Sequence, residues 1–278
     1  MGPTRPITSI TKDQDAMIQG DREQRLVFGE VAELYDRYRP GYPGTVFDRL
    51  MEFGPLRSGD RALEIGAGTG RATRPLAERG LAVTAVEPSP RMAELARRNT
   101  EDLPGVTVEE GSFEGWALPK EPFRLVVAAQ AWHWVRPEIG YPKARAALAP
   151  EGLLALLWNR PLAGSGRASE LSAEIDEVYR REAPQLSAGL PGERDLDRRT
   201  EIEASGDFVE VVREQISWAA TYSSDEYLGL LQTQSDHRLL DPGSLERLLT
   251  GIAAVLSRQG GALQQSYVTE LYLARPRR

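Results

Sequence analysis

The 278-residue sequence has no cysteine and two histidines, His133 and His237. The first absence excludes thiolate nucleophiles, CxxC redox chemistry, cysteine-ligated zinc, iron–sulfur clusters and a disulfide framework. The second excludes a histidine-rich metal site, and no cluster of acidic residues in the sequence suggests magnesium. Long apolar runs are also missing: the longest, Leu153 to Trp158, has six residues, against about 20 needed to span a bilayer. Residues 1–20 mix Thr, Asp, Lys and Gln without the basic and then apolar pattern of a signal peptide, so a cytoplasmic protein is expected. The 34 basic residues are scattered and outnumbered by 41 acidic ones, for a net charge of -7. Nucleic acid is therefore not an expected partner, because phosphate binding needs a positive field.

What is present is a composition ordinary for an enzyme-sized globular chain, with 41% hydrophobic residues. Residues 22–38 carry Leu26, Val27, Val31, Leu34, Tyr35 and Tyr38 at helical spacing. That helix stops at a turn containing Pro40 and Pro43, and a second helix is expected over 45–53. From residue 61 short apolar runs at 61–65, 82–87, 106–109, 123–128 and 152–158 alternate with helical stretches at 70–79, 90–99 and 137–148. The alternation predicts an α/β fold, a Rossmann-like, doubly wound and mostly parallel sheet whose buried strands are nearly all apolar. Two further strands are expected at 208–218 and 263–274, with helices at 168–181, 223–231 and 242–257 and a Pro/Gly-rich loop at 183–192. The resulting division has amino-terminal helices in 1–50 as part of a cap and a core in 51–160. Helical insertions at 161–205 and 219–261 complete the cap, while 206–218 and 262–278 return to the sheet.

Glu64-Ile65-Gly66-Ala67-Gly68-Thr69-Gly70 falls where the first strand ends and a helix begins. Three glycines there let the backbone turn sharply and let a ligand lie against main-chain atoms, at the sheet edge where such folds bind ligands. A dinucleotide fingerprint GxGxxG needs a small residue at its sixth position. Counting from Gly66 that position is Arg71, and from Gly68 it is Thr73, so the NAD reading fits poorly. The second strand instead ends in Glu87, placed to accept the hydroxyls of a ribose.

With these residues the sequence resembles the class I S-adenosylmethionine-dependent methyltransferases through about residues 25–160. The resemblance implies a seven-stranded sheet with an antiparallel last strand, S-adenosyl-L-methionine as cofactor and S-adenosyl-L-homocysteine as product. It implies that the turn of Gly66, Ala67, Gly68, Thr69 and Gly70 contacts the amino acid part of the cofactor, and that Glu87, followed by Pro88, binds the ribose. Ser112 and Phe113 match the segment flanking the adenine. Gln130, Ala131, Trp132, His133 and Trp134 match the motif beside the methyl group and substrate. Tyr35, Arg39 and Pro40 resemble an amino-terminal element that closes over the cofactor.

For Glu64 the readings are a hydrogen bond to the cofactor ammonium or organisation of the loop. His133 reads either as a general base or as a ring packed between Trp132 and Trp134. Those tryptophans read as acceptor-pocket walls or partners of a sulfonium, with one of them in the core. Asn159, Tyr222 and His237 are candidates to touch a small-molecule acceptor, His237 reading equally as an exposed helix end. The rival functions are cofactor binding without methyl transfer and an NAD-dependent oxidoreductase. Acceptor identity and oligomeric state are not legible here.

Overall fold

A computed structural model describes residues 31–162, 167–187 and 197–278. The expected helix over 22–38 is therefore described only from Val31 on, and residues 163–166 and 188–196 lie outside the description, including half of the Pro/Gly-rich stretch.

Five strands, β1 (Arg61–Ile65), β2 (Ala82–Glu87), β3 (Val106–Glu110), β4 (Phe123–Ala129) and β5 (Leu148–Pro161), are followed by β6 (Phe208–Ser223) and β7 (Ala262–Pro276). They form one seven-stranded sheet in the order β3-β2-β1-β4-β5-β7-β6. The first five pair in parallel, and β7 runs antiparallel to both β5 and β6. The expected antiparallel last strand is thus present. The strands are apolar because both faces are covered: Leu63, Val126, Leu154 and Leu156 pack on one side and Ala62, Leu125, Leu153 and Leu157 on the other, all fully buried.

Helices α1 (Ala32–Tyr38), α2 (Gly44–Phe53), α3 (Thr73–Glu78), α4 (Pro90–Asn99) and α5 (Pro137–Ala147) accompany the parallel half. The start of α4 is set by Ser89, whose hydroxyl accepts the Met92 N–H, and by Pro90 in its first turn. The rest comprises α6 (Arg167–Glu182), α7 (Pro184–Ser187), α8 (Arg198–Ala204), α9 (Ser224–Gln232), α10 (Ser235–Arg238) and α11 (Pro242–Arg258). Leu171, Ile175, Val178, Leu231, Leu248, Ile252 and Leu256 of this group close a core separate from those of the sheet.

Three expectations need correction. Helix α2 is not part of a cap, because Val46, Phe47 and Leu50 are fully buried against the sheet with Leu76 and Leu81. Strand β6 does not stop at Trp218: residues 219–223 stay paired with 262–266, and alternation through Trp218, Ala220 and Tyr222 carries the β6–β7 ribbon beyond the sheet. Helix α3 begins at Thr73 rather than Gly70, since Gly70 remains in the turn with φ +87°.

Candidate active site

Strand order reverses at β1, which has β2 on one side and β4 on the other. In open α/β sheets the crevice beyond the carboxyl ends of such neighbouring strands is where ligands bind. The turn after β1 is anchored to β2, with the Gly66 and Ala67 N–H groups donating to the Val86 carbonyl at 2.8 and 3.3 Å. Gly66 sits at φ +67°, and a Cβ there would lie 2.5 Å from that of Ala131 beyond β4. Only glycine lets the loops after β1 and β4 approach this closely. Gly68, at φ +57°, passes 3.9 Å from the Tyr35 ring, measured from an added Cβ. Inside the same turn the Thr69 hydroxyl is buried and has no hydrogen-bond partner among the described residues.

Two carboxylates flank this turn. The Gly68 N–H donates to one Glu87 oxygen at 2.8 Å and the Ser89 N–H to the other at 2.9 Å. Glu87 is thereby fixed in orientation at the end of β2, with half-buried Pro88 leading into α4. Glu64, 1% exposed, accepts a 2.5 Å hydrogen bond from the Thr73 hydroxyl. Burial pushes its pKa up to about 8; the Thr73 bond opposes the rise and the charge of Glu87 adds to it. Tyr42 approaches the same group: burial raises its phenol well above the ordinary value, with Tyr35 and Glu64 reinforcing and Arg39 and Arg71 opposing.

Helix α1 closes one side. Asn99 at the end of α4 donates to the Asp36 carboxylate at 2.7 Å and to the Thr69 carbonyl at 2.9 Å, so one amide ties α1, α4 and the glycine turn together. Arg71 donates to the Asp36 carbonyl, and its buried Nε has no partner. Arg39 packs its guanidinium over the Tyr35 ring at 5.3 Å and donates to the Thr233 hydroxyl and carbonyl at 2.9 and 2.8 Å. A groove of about 560 Å³ runs along Asp36, Thr69, Gly70, Arg71 and Asn99.

Beyond β4 the chain turns through Gln130, a non-glycine residue at φ +58°. Such a conformation is uncommon and collects at functional sites. Its N–H donates to the Leu157 carbonyl at 2.9 Å and its amide to the Asn159 carbonyl at 3.1 Å, which fixes the strained residue to β5. Residues Trp132–Trp134 form a single 3₁₀ turn. His133 is exposed on this turn, with Trp134 beside it at 4.8 Å between ring centres. Although the residue's outer edge is exposed, desolvation of the imidazole, reinforced by the charge of Arg198, pushes its pKa down to about 4, so the ring is neutral near pH 7. The Trp158 indole donates to its Nδ1 at 3.4 Å, which assigns the ring proton to Nε2.

Several expected site residues lie elsewhere. Trp132 is 1% exposed and packs on Tyr141 at 4.9 Å and Phe113 at 6.4 Å, so it is a core side chain and not an acceptor wall. Phe113 is turned inward, 3% exposed beneath the Lys143 ammonium, and offers no ring face to an adenine; Ser112 before it is half-buried. Asn159 spends its amide on protein, donating to the Gly41 carbonyl at 2.9 Å and accepting from Thr269 at 2.6 Å, so it secures the Pro40–Pro43 turn. Tyr222 is 6% exposed and shares a 3.0 Å hydrogen bond with the Tyr267 hydroxyl. His237 is not an exposed helix end: it is 5% exposed, with Nδ1 against Asp236 and Nε2 against the Tyr179 hydroxyl, each at 2.7 Å. Its burial follows from α10 packing against α6, a pairing distant in sequence.

Asp36, Tyr42, Arg71 and Asn99 are site residues that sequence reasoning passed over. Asp36 adjoins Tyr35, and Arg71 follows Gly70 directly, so adjacency was the available signal; nothing in the sequence marks Asn99. Among the described residues no helix is long and apolar enough to cross a membrane.

A methyltransferase domain family matches residues 62–152. An uncharacterized methyltransferase of Mycobacterium tuberculosis strain H37Rv is 33% identical over 214 residues, covering 77% of this chain and 79% of the relative. A protein of Anaeromyxobacter dehalogenans, thought to be a type II methyltransferase, superposes with a TM-score of 0.63 at 25% identity over 86% of this chain and 98% of its own. The fold is also shared, at a TM-score of 0.53 and 16% identity over 90% of this chain and 58% of the other, with Haemonchus contortus phosphoethanolamine N-methyltransferase 2, solved with phosphomonomethylethanolamine and S-adenosylhomocysteine.

Proposed function

The chain belongs to the S-adenosylmethionine-dependent methyltransferase family, and from that membership we propose that it binds S-adenosylmethionine between the turns after β1 and β4. In this reading the methyl group passes to an oxygen, nitrogen or carbon nucleophile of a small molecule and S-adenosylhomocysteine leaves. The observation that carries the proposal is the Gly66–Gly70 turn, pressed against Ala131 and bonded to Glu87 through Gly68, with the orphaned Thr69 hydroxyl inside it. Residues with these features fit a ligand that lies on main-chain atoms and presents a diol to a fixed carboxylate.

When bound, the cofactor supplies a sulfonium methyl group already reactive toward nucleophiles, so the protein's share is alignment and exclusion of water. Glu87, held by the Gly68 and Ser89 N–H groups, would receive the ribose hydroxyls. Glu64 is protonated near neutrality without a cationic neighbour and would ionise beside the cofactor ammonium, because an opposite charge at contact favours the charged form. Tyr35, held over Gly68 by α1, would cover the ligand from the solvent side. For His133 the Trp158 bond occupies the Nδ1 lone pair, so the ring presents an Nε2–H donor that orients the acceptor; service as a base requires that bond to break.

Calorimetric titration of the full chain with S-adenosylmethionine, S-adenosylhomocysteine and NAD tests the proposal. Saturable binding of the two adenosyl compounds alone is expected, and binding only of NAD, or of none, overturns it. Formation of S-adenosylhomocysteine together with a methylated acceptor separates transfer from binding without turnover. Glu87→Ala is expected to weaken both adenosyl compounds by at least about tenfold, the order of two lost charge-assisted hydrogen bonds.

A further inference from the structure

A chain of hydrogen bonds that no step of the proposed reaction uses runs from the β6–β7 ribbon to the crevice. Asn159 of β5 lies opposite Thr269 of β7, and Thr269 lies opposite Ile216 of β6, two residues before Trp218. All share one face of the sheet, because side chains alternate along a strand with period 2. Further along β7 that face is apolar, with Leu271 and Leu273 fully buried. Thr269 is fully buried as well, yet polar: its hydroxyl accepts the Trp218 indole N–H at 2.9 Å and donates to Asn159 Oδ1 at 2.6 Å. The Asn159 amide in turn donates to the Gly41 carbonyl at 2.9 Å.

The direction of this chain is forced. An indole nitrogen only donates and a backbone carbonyl only accepts, so the single Thr269 proton goes to Asn159 and the Asn159 NH2 group faces Gly41. Valine has the shape of threonine and would fill the same site without burying a polar group. What the hydroxyl adds is the orientation of the amide, and the amide is aimed at the exit of α1. Gly41 follows Pro40 there and lines the groove with Asp36, Thr69 and Asn99, and α1 carries Tyr35, whose ring lies over Gly68. The Asn159 backbone meets a second wall. Its carbonyl accepts the Gln130 amide at 3.1 Å, and Gln130, at φ +58°, immediately precedes Ala131, the residue on which Gly66 closes. One residue thus touches two walls of the crevice, and its side chain is set from the ribbon. At the far end Trp218 stacks on Tyr267 at 4.6 Å and shares a cluster with Tyr222, Leu230 and Tyr38 of α1.

We propose that Thr269 and Asn159 are positioning residues that transmit the placement of Trp218 on the ribbon to the exit of α1, so that the β6–β7 ribbon governs how tightly the cofactor is held. This deepens the proposed function and rests on it. Because coupling between two places in a protein is reciprocal, filling the crevice must also act back on Trp218.

The test is calorimetric titration of the full chain with S-adenosylhomocysteine, well below the melting temperature of each variant. Thr269→Val keeps the packing and removes both bonds of the hydroxyl, and is expected to weaken binding by about fivefold or more. Thr269→Ser keeps the hydroxyl and is expected to restore affinity to within about twofold of wild type. If Thr269→Val does not fold, Trp218→Phe removes the indole donor while keeping a ring to stack on Tyr267, and is expected to weaken binding a few-fold. In full-length protein labelled with fluorotryptophan, the Trp218 resonance, assigned by its loss in Trp218→Phe, is expected to shift when S-adenosylhomocysteine saturates the crevice. A purely structural role for the chain of bonds would lower the melting temperature of Thr269→Val and leave its affinity within about twofold of wild type. That result, equal weakening by Thr269→Ser, or a Trp218 resonance unmoved by the ligand overturns the inference. Failure of the wild-type chain itself to bind S-adenosylhomocysteine overturns the proposed function instead.

Discussion

His133 and His237, the two histidines of the chain, stand in its two regions and are treated in opposite ways. His133 is an exposed residue on the turn after β4, with a partly desolvated ring whose one nitrogen receives a 3.4 Å bond from Trp158. His237 is enclosed between α10 and α6 with both nitrogens engaged at 2.7 Å. At the carboxyl edge of the parallel sheet, backbone geometry positions the site and polar side chains are presented at strand ends. In the helical insertion, polar side chains are consumed in holding helices together. A side chain of the same type is thus left at the surface of the candidate site in one region and spent on cohesion in the other.

The largest test of this contrast lies within the segment after β4 itself. Trp132→Ala is expected to lower unfolding free energy by about 3–5 kcal/mol, since it empties a fully buried ring site. Half-buried Trp134→Ala two residues away is expected to cost about 1 kcal/mol or less. Urea denaturation of both variants distinguishes them; equal losses would return Trp132 to the surface of the site. Next in size, His237→Ala should cost about 2–3 kcal/mol, because it opens a small cavity and strands the Tyr179 hydroxyl. Cofactor affinity is expected to be untouched. His133→Ala should show the reverse: stability within about 0.5 kcal/mol of wild type and a slower single-turnover methyl transfer, restored in part by His133→Gln, which keeps a donor. An undiminished rate for His133→Ala would assign that ring to packing as well.

The sheet edge should also respond to pH between about 4.5 and 8. Glu64 has a folded pKa raised from 4.5 to about 8 by burial. A raised carboxyl binds its proton more tightly in the folded chain, so its stabilising contribution is complete below about 4.5 and declines as pH rises toward 8. Within that window the loss approaches about 1.4 kcal/mol per pH unit. Denaturant midpoints of wild type and Glu64→Gln, compared at pH 5.5, 6.5 and 7.5, are expected to converge toward acid and separate toward base. Parallel curves would show that Glu64 is ionised in the folded chain.

The same contrast explains what could be read in the sequence. The parallel half was legible because its signals are local: apolar runs of β length, Ser89 and Pro90 opening α4, and glycines spaced two apart at a strand end. Expectation and structure coincide at Pro90–Asn99, and the expected seven-stranded topology is present. The insertion half was legible as helices but not as contacts, since whether His237 or Tyr222 faces a crevice depends on partners tens of residues away. Phe113 failed for a related reason, which also decides that Trp132 is the core member of the tryptophan pair. Their motif positions fix where the backbone goes, while the direction of each ring is decided by Tyr141 and Lys143 on α5.

Helix α1 bridges the two regions, and the smallest expected effect shows which of them holds it. Asn99 joins α1 to the glycine turn through Asp36 and the Thr69 carbonyl, whereas Thr233 joins the end of α1 to the insertion through Arg39. Asn99→Ala removes both bonds of its tie, whereas Thr233→Val removes the Arg39 bond to the hydroxyl and keeps the one to the backbone carbonyl, so the two should cost about 1 kcal/mol and somewhat less, respectively. The ties share no atoms, so if α1 is docked independently by the two regions the double variant should lose the sum within about 0.5 kcal/mol. A smaller loss in the double variant would mean that one tie already releases the helix. Cofactor titration then ranks them: Asn99→Ala reaches the glycine turn directly and is expected to weaken adenosyl binding a few-fold, while Thr233→Val, which keeps the carbonyl bond from Arg39, is expected to weaken it less.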